Sequence, residues 1–163
     1  MRRISLIYPL ILLFFTGLFV FQPQASAKQA SPAVMQMNTV EGQRVVIPAE
    51  GQKTIVHFWT TWCPPCREEL PRFQSYYESK QSGVKLVTVN LLNAEKNEQK
   101  VKQFIKANKL TFPIVFDKKG EMMKAYNVMT IPTTFFFNEK GELEKTFVGP
   151  ITVEQMKEWA GKS

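Results

Sequence analysis

The two cysteines of this 163-residue chain are the residues whose type and spacing most clearly indicate a chemistry. They occur as Cys63-Pro64-Pro65-Cys66, three residues after an apolar run at 55–59 and at the start of a helical pattern at 64–80. The order strand, short turn, Cys-x-x-Cys and helix is typical of a redox-active dithiol. We therefore predict that this pair forms and breaks a disulfide bond during the protein's reaction.

The two prolines predict where the helix begins. Pro64 and Pro65 fix φ near its helical value and lack an N–H group, so they suit the first turn of a helix. Cys63 should then stand at the helix N-terminus. Unpaired backbone N–H groups and the positive end of the helix dipole favour a thiolate there.

Three other interpretations of the cysteine pair have less support from the sequence. A structural bridge between Cys63 and Cys66 would close a very short loop and remove little denatured-state entropy. A zinc site normally needs four nitrogen or sulfur ligands, and the chain has two cysteines and one histidine. Simple burial suits lone cysteines better than this spacing. We predict no metal and no cofactor, and a non-enzymatic metal- or peptide-binding module remains the alternative from another class.

The first 27 residues have the pattern of an export segment. Arg2 and Arg3 precede a mostly apolar run at 4–21, and a small-x-small signal ends at Ala27. Residues 1–27 are therefore predicted to be a signal peptide or a membrane anchor, and residues 28–163 an exported domain. Without the two arginines, 19 basic residues oppose 14 acidic ones and are spread along the chain, which does not favour nucleic-acid binding.

The remaining pattern alternates strands and helices. Strands joined by helices should pair in parallel, and a closing hairpin should add antiparallel strands. We predict an α/β fold with a central mixed sheet flanked by helices, an N-terminal β-hairpin and a central insertion. The predicted strands lie in a hairpin at 34–48 and at 55–59, 84–91, 112–116, 133–137 and 142–148. The predicted helices are 64–80, 93–109 capped by Asn93, 120–126 with Met122, Met123 and Tyr126 inward, and one opened by a capping box of Thr152 and Gln155.

Two segments carry a family resemblance. The run at 58–66, with Pro71 following in the helix, resembles the thioredoxin superfamily, and Thr130-Ile131-Pro132-Thr133 resembles its cis-proline loop. The insertion between 84 and 112 is similar to that of the extracytoplasmic, membrane-tethered branch, which includes the cytochrome c maturation thioredoxins. Within this branch, 53–59 and 107–115 are similar to thiol–disulfide oxidoreductases that act in sporulation. The resemblance covers 34–160.

The resemblance implies roles for individual residues. Cys63 would be the attacking thiol and Cys66 the resolving thiol. Glu69 matches an acidic residue beneath the cysteines of this branch; its spacing from Cys66 also places it on their side of the helix, where a carboxylate could exchange protons with the dithiol. The alternative for Glu69 is a solvated helix residue. His57 stands where cytosolic thioredoxins hold a buried aspartate, and we interpret it as a core residue. The implied substrate groove comprises Trp62, Pro64, Pro65, Ile131 and Pro132, the last after a cis peptide bond.

The resemblance also implies a function. The domain would reduce disulfide bonds of exported proteins at the membrane, in endospore cortex synthesis at the forespore envelope. Its substrate would be a penicillin-binding protein, and its electron donor a membrane thiol reductant of the CcdA type. Reduction of apocytochrome c cysteines and introduction of disulfides by an oxidant remain alternatives. A peroxidase is disfavoured, because Val56 stands where the peroxidase motif Pro-x-x-x-Thr-x-x-Cys requires proline.

Overall fold

The computed structural model describes residues 31–79 and 83–161. The predicted export segment at 1–27 lies outside these residues. Within the two described ranges, no helix has the length and apolar character needed to cross a membrane.

The order of elements agrees with the sequence prediction. The strands are β1 Met35–Asn38, β2 Arg44–Ile47, β3 Lys53–Trp59, β4 Val84–Asn90, β5 Ile114–Phe116, β6 Thr133–Phe137 and β7 Leu143–Val148. The helices are α1 Pro64–Glu78, α2 Glu98–Ala107, α3 Glu121–Ala125 and α4 Val153–Ala160, with a 3₁₀ turn at Leu92–Ala94.

The central sheet is mixed, as predicted. Its five strands lie in the order β5-β4-β3-β6-β7. The pairs β3–β4 and β4–β5 are parallel, whereas β6 pairs antiparallel with β3 and with β7. All seven residues of β3 are buried, because helices or the hairpin cover both faces of the sheet. The residues after β3 therefore start from a rigid central strand.

The N-terminal hairpin is confirmed, and it forms a separate two-stranded sheet. Thr39, just after β1, bridges to Val115 of β5, and the Val40 N–H donates to the Ile114 carbonyl at 2.8 Å. At the other edge of the central sheet, the Leu143 N–H of β7 donates to the Ser31 hydroxyl at 2.8 Å. The segment 31–40 thus contacts both edge strands.

Two apolar layers enclose the sheet. One contains side chains of α1, α2 and α4, including Phe73, Val101 and Met156. The other contains α3 and β2, with Met122 and Tyr126 fully or almost fully buried. Met122 and Tyr126 pack in the core, as predicted, whereas Met123 is only half-buried against this layer. Burial raises the pKa of the Tyr126 hydroxyl.

The start of α2 differs from the prediction. Asn93 does not cap this helix; it lies in the 3₁₀ turn, and its backbone N–H donates to the Asp117 carbonyl at 3.2 Å. That bond ties the chain to the end of β5 and delays the helix. Asn97 is the N-cap, and its side chain accepts the Lys100 N–H at 2.8 Å. The capping box of Thr152 and Gln155 on α4 is confirmed.

The two asparagines give a matched test of this assignment. Asn97→Ala should lower the free energy of unfolding by about 1 kcal/mol, because it removes a helix N-cap. Asn93→Ala should change it by less than about 0.5 kcal/mol, because the Asn93 backbone makes the contact described above and its side chain is exposed. Urea denaturation of both variants measures the difference, and equal losses would contradict the assigned cap.

Candidate active site

Cys63 is the N-cap of α1, as the prolines predicted. Its backbone is extended, with φ −84° and ψ 111°, and Pro64 and Pro65 occupy the first helical positions. The Cys63 sulfur accepts the backbone N–H of Cys66 at 3.3 Å. A sulfur in this position faces unpaired N–H groups of the first turn, which stabilise a thiolate.

The two cysteines form a disulfide bond, with 5.3 Å between their Cα atoms. Both are buried in this oxidised form, with 3% of Cys63 and none of Cys66 exposed. Cys63 is thus the residue of the pair that retains some contact with solvent.

The predicted groove residues lie in the turn before α1, in the first turn of α1 and in the loop before β6. Trp62 is 57% exposed, and its ring N–H donates to the Ala94 carbonyl at 3.0 Å. The Ile131–Pro132 peptide bond is cis, as the resemblance implied. Ile131 is half-buried and packs against the core cluster that contains both cysteines. Pro132 itself is buried, and its carbonyl accepts the Gly149 N–H at 2.9 Å.

Glu69 is buried, in contrast to the exposed Glu68 beside it. The alternative of a solvated helix residue is therefore wrong. One carboxylate oxygen, Oε2, accepts the Ile151 N–H at 3.0 Å. The other, Oε1, lies 3.2 Å from Nε2 of His57, which is also fully buried.

His57 connects Glu69 to the opposite strand. Its Nδ1 lies 2.9 Å from the Thr134 hydroxyl of β6, and its ring packs on Phe73 with 4.4 Å between ring centroids. Nε2 and the Glu69 Oε1 face each other outside hydrogen-bond alignment, and neither has another hydrogen-bond partner among the described residues. His57 is thus a core residue, as interpreted, but only one of its two ring nitrogens, Nδ1, has a hydrogen-bond partner. A buried polar atom without a partner costs about 1–3 kcal/mol.

Glu95 is a site residue that the sequence did not reveal. Its carboxylate accepts three hydrogen bonds: from the Thr61 N–H at 2.6 Å, the Thr61 hydroxyl at 2.6 Å and the Asn90 amide at 2.9 Å. These bonds tie the turn before Cys63 to the end of β4. The residue stands in a polar run of the insertion, so its sequence context is typical of a solvated side chain.

Glu95→Gln should destabilise the protein by about 1–3 kcal/mol, because the amide cannot accept from both Thr61 groups as a charged carboxylate does. Glu121→Gln is the matched control, since Glu121 is exposed and lies 3.8 Å from the Lys119 ammonium. That control should change stability by less than about 0.5 kcal/mol. Chemical denaturation compares the two. Equal effects would show that Glu95 does not hold the turn.

No group of three or more potential metal ligands occurs among residues 31–79 and 83–161. The site offers the chemistry of its two sulfurs and of the buried Glu69 carboxylate. A disulfide at a helix N-terminus can accept a thiolate, form a mixed disulfide and exchange it for a second sulfur.

The mixed sheet, the Cys-x-x-Cys pair at the start of α1 and the cis-proline loop define a thioredoxin-fold thiol–disulfide oxidoreductase. The chain belongs to the AhpC/TSA family, whose sequence profile matches residues 23–146.

The names of similar proteins agree with this class of enzyme. The chain is 59% identical over 163 residues to the sporulation thiol-disulfide oxidoreductase A of Bacillus subtilis, covering 97% of this chain and 96% of the relative. It is 34% identical to the thiol-disulfide oxidoreductase ResA of Oceanobacillus iheyensis, over 84% of this chain and 66% of that protein. The crystal structure of StoA from Bacillus subtilis superposes with a TM-score of 0.76 at 64% identity, covering 80% of this chain and 98% of that one.

Proposed function

We propose that this oxidoreductase reduces disulfide bonds in exported proteins outside the cytoplasm during endospore cortex synthesis. The observation that carries the proposal is the 59% identity, over nearly the whole of both chains, to a relative whose name places it in sporulation. The predicted export segment supports a location outside the cytoplasm and at the membrane. The forespore envelope is proposed from the sporulation role in the relative's name.

The cysteines divide the reaction into two steps. The Cys63 thiolate attacks one sulfur of the substrate disulfide, and the other substrate sulfur leaves as a thiolate. Cys66 then loses its proton to Glu69 and attacks the Cys63 sulfur, which breaks the mixed disulfide. Two electrons pass from the dithiol to the substrate, and Cys63–Cys66 becomes oxidised. A membrane thiol reductant of the CcdA type would return the electrons.

The surface near the cis-proline suits a flexible polypeptide. Met129 is 87% exposed and Val148 is 62% exposed, and both line one cavity of about 140 Å³ next to the cis-proline loop. With Trp62, Pro64, Pro65 and Ile131, these side chains offer apolar contacts for a substrate segment that carries a disulfide. A penicillin-binding protein of the cell wall is the proposed substrate.

Trapping in sporulating cells tests the substrate class. In Cys66→Ala the second step is blocked, so the mixed disulfide with the substrate should accumulate and can be identified by mass spectrometry. A penicillin-binding protein linked through Cys63 supports the proposal. Apocytochrome c in its place would support the alternative role in cytochrome c maturation, and the Cys63→Ala/Cys66→Ala protein is the control for non-specific capture.

The location has an independent test. External protease added to intact protoplasts of cells that express the protein without forming forespores should degrade it, because the proposed domain lies on the outer side of the cell membrane. A cytosolic marker protein in the same sample should remain intact. A fully protected protein would contradict the proposed location.

A further inference from the structure

Two buried polar side chains, His57 and Glu69, face each other one helical turn below Cys66. Glu69 follows Cys66 by three residues on the buried side of α1, and His57 reaches it from β3 with 3.2 Å between Nε2 and Oε1. Both side chains are almost completely buried, so water does not stabilise a charge on either of them. Their protonation therefore depends on the charges nearby.

The surroundings of His57 are compatible with two protonation states of the His57–Glu69 pair, which differ in the number of protons that the pair holds. With two protons on the pair, each ring nitrogen carries one, Nδ1 donates to the Thr134 hydroxyl 2.9 Å away, and the positive ring and the carboxylate are together neutral. With one proton, Nε2 carries it and faces the Glu69 carboxylate at 3.2 Å, Nδ1 accepts from the Thr134 hydroxyl, and the pair has a charge of −1. A hydroxyl can donate or accept, so Thr134 suits both states.

The charges that could shift this balance come from α1. Thr134 of β6, the Phe73 ring and the Ile151 N–H bound to the Glu69 Oε2 carry no charge. Tyr76 lies on the same buried side of α1, and burial raises the pKa of its hydroxyl, which therefore stays neutral. Among the described residues of α1, the cysteines are the other titratable groups on this side. In the dithiol form, the Cys63 thiolate disfavours a second buried negative charge, whereas the disulfide carries no charge.

We infer that His57 and Glu69 form one proton-holding pair whose protonation follows the oxidation state of Cys63 and Cys66. His57 is a positioning residue that acts through Glu69, and this inference rests on the proposed function of Glu69 as the acceptor of the Cys66 proton. The thiolate form keeps two protons on the pair.

The protons and electrons of the cycle balance with this pair. Formation of the mixed disulfide removes the Cys63 charge, and the pair then releases one proton to the departing substrate thiolate. Glu69 next takes the proton of Cys66, whose sulfur attacks Cys63 as the second substrate sulfur leaves with the electron pair of the broken bond. The pair finally returns that proton, and the second substrate thiol is complete.

The wild-type protein allows a direct test, because His57 is the one histidine of the chain. With ¹⁵N-histidine and a purification tag that lacks histidine, NMR reports the protonation of this ring alone. Between pH 5 and 9 we expect the ring signals to follow different curves in the two forms, with the doubly protonated ring persisting to higher pH in the dithiol form than in the disulfide form. Superimposable curves in the two forms would overturn the inference.

Three variants test whether the difference in ring protonation depends on Glu69 and on the cysteines. Glu69→Gln should abolish the difference between the two forms, and Cys63→Ala/Cys66→Ala should make the ring insensitive to reductant. Thr88→Val is the matched control, since Thr88 is a buried polar residue paired with His57 on the adjacent strand; the difference should persist in it. Loss of the difference in Thr88→Val would overturn the assigned route. If Cys66→Ala trapped no penicillin-binding protein but the NMR curves of the dithiol and disulfide forms still differed, the proposed substrate would be contradicted. The inference about the His57–Glu69 pair would then still hold.

Discussion

Cys63→Ala should abolish disulfide reduction down to the level of buffer alone, whereas Cys66→Ala should still complete the first step. The reason is the position of Cys63 as the N-cap of α1, where its sulfur accepts the Cys66 N–H. In the reduced wild-type protein, iodoacetamide near neutral pH should label Cys63 at least roughly tenfold faster than Cys66, because a thiolate at a helix N-terminus is favoured.

Peptide mapping of the alkylated protein measures both rates in one sample. Labelling in urea is the control, because unfolding removes the helix and should make the two rates similar. Equal rates in the folded protein would contradict the assignment of Cys63 as the attacking thiol and Cys66 as the resolving thiol.

Glu69→Gln should slow the second chemical step by about 100-fold or more, the usual contribution of a positioned general base. The amide keeps the size of the side chain and can still accept the Ile151 N–H, so the fold should survive. The carboxylate charge near the sulfurs also disfavours their thiolates, and its removal should shift thiol reactivity to lower pH.

Stopped-flow release of thiol from a small aromatic disulfide, followed across pH, measures the rate and its pH profile. Glu68→Gln is the matched control, since Glu68 is the exposed neighbour on the same helix. It should leave both quantities unchanged. If Glu69→Gln and Glu68→Gln gave the same profiles, Glu69 would have no part in proton transfer.

Most of the fold could be predicted because its local signals agree with its packing. The apolar run of β3 predicted a buried central strand, and the prolines after Cys63 predicted the start of α1. The start of α2 could not be predicted, because Asn93 and Asn97 are equally good N-caps by residue type. The choice depends on the hydrogen bond from the Asn93 backbone to Asp117, residues that are distant in sequence.

The site was predicted where adjacent residues carry the chemistry, as at Cys63 and Cys66. Two contacts depend on tertiary structure and left no local signal. Glu95 holds the turn at Thr61 across 34 positions of sequence, and His57 meets Glu69 between a strand and a helix. Spacing along α1 placed Glu69 on the side of the cysteines, but it gave no indication of which residue of the sheet lies opposite.

The contacts of segment 31–40 with β5 and β7 also bear on aggregation. An edge strand with unpaired backbone groups can pair with another chain, and a protein held at high local density on a membrane meets its own copies often. The bridge from Thr39 to Val115 occupies part of the β5 edge, and the bond from Leu143 to Ser31 occupies the start of β7. In the middle of β7, the exposed charged side chains of Glu144 and Lys145 disfavour pairing with a strand of another chain. The stretch that joins the domain to its proposed anchor therefore also protects neighbouring copies from joining edge to edge.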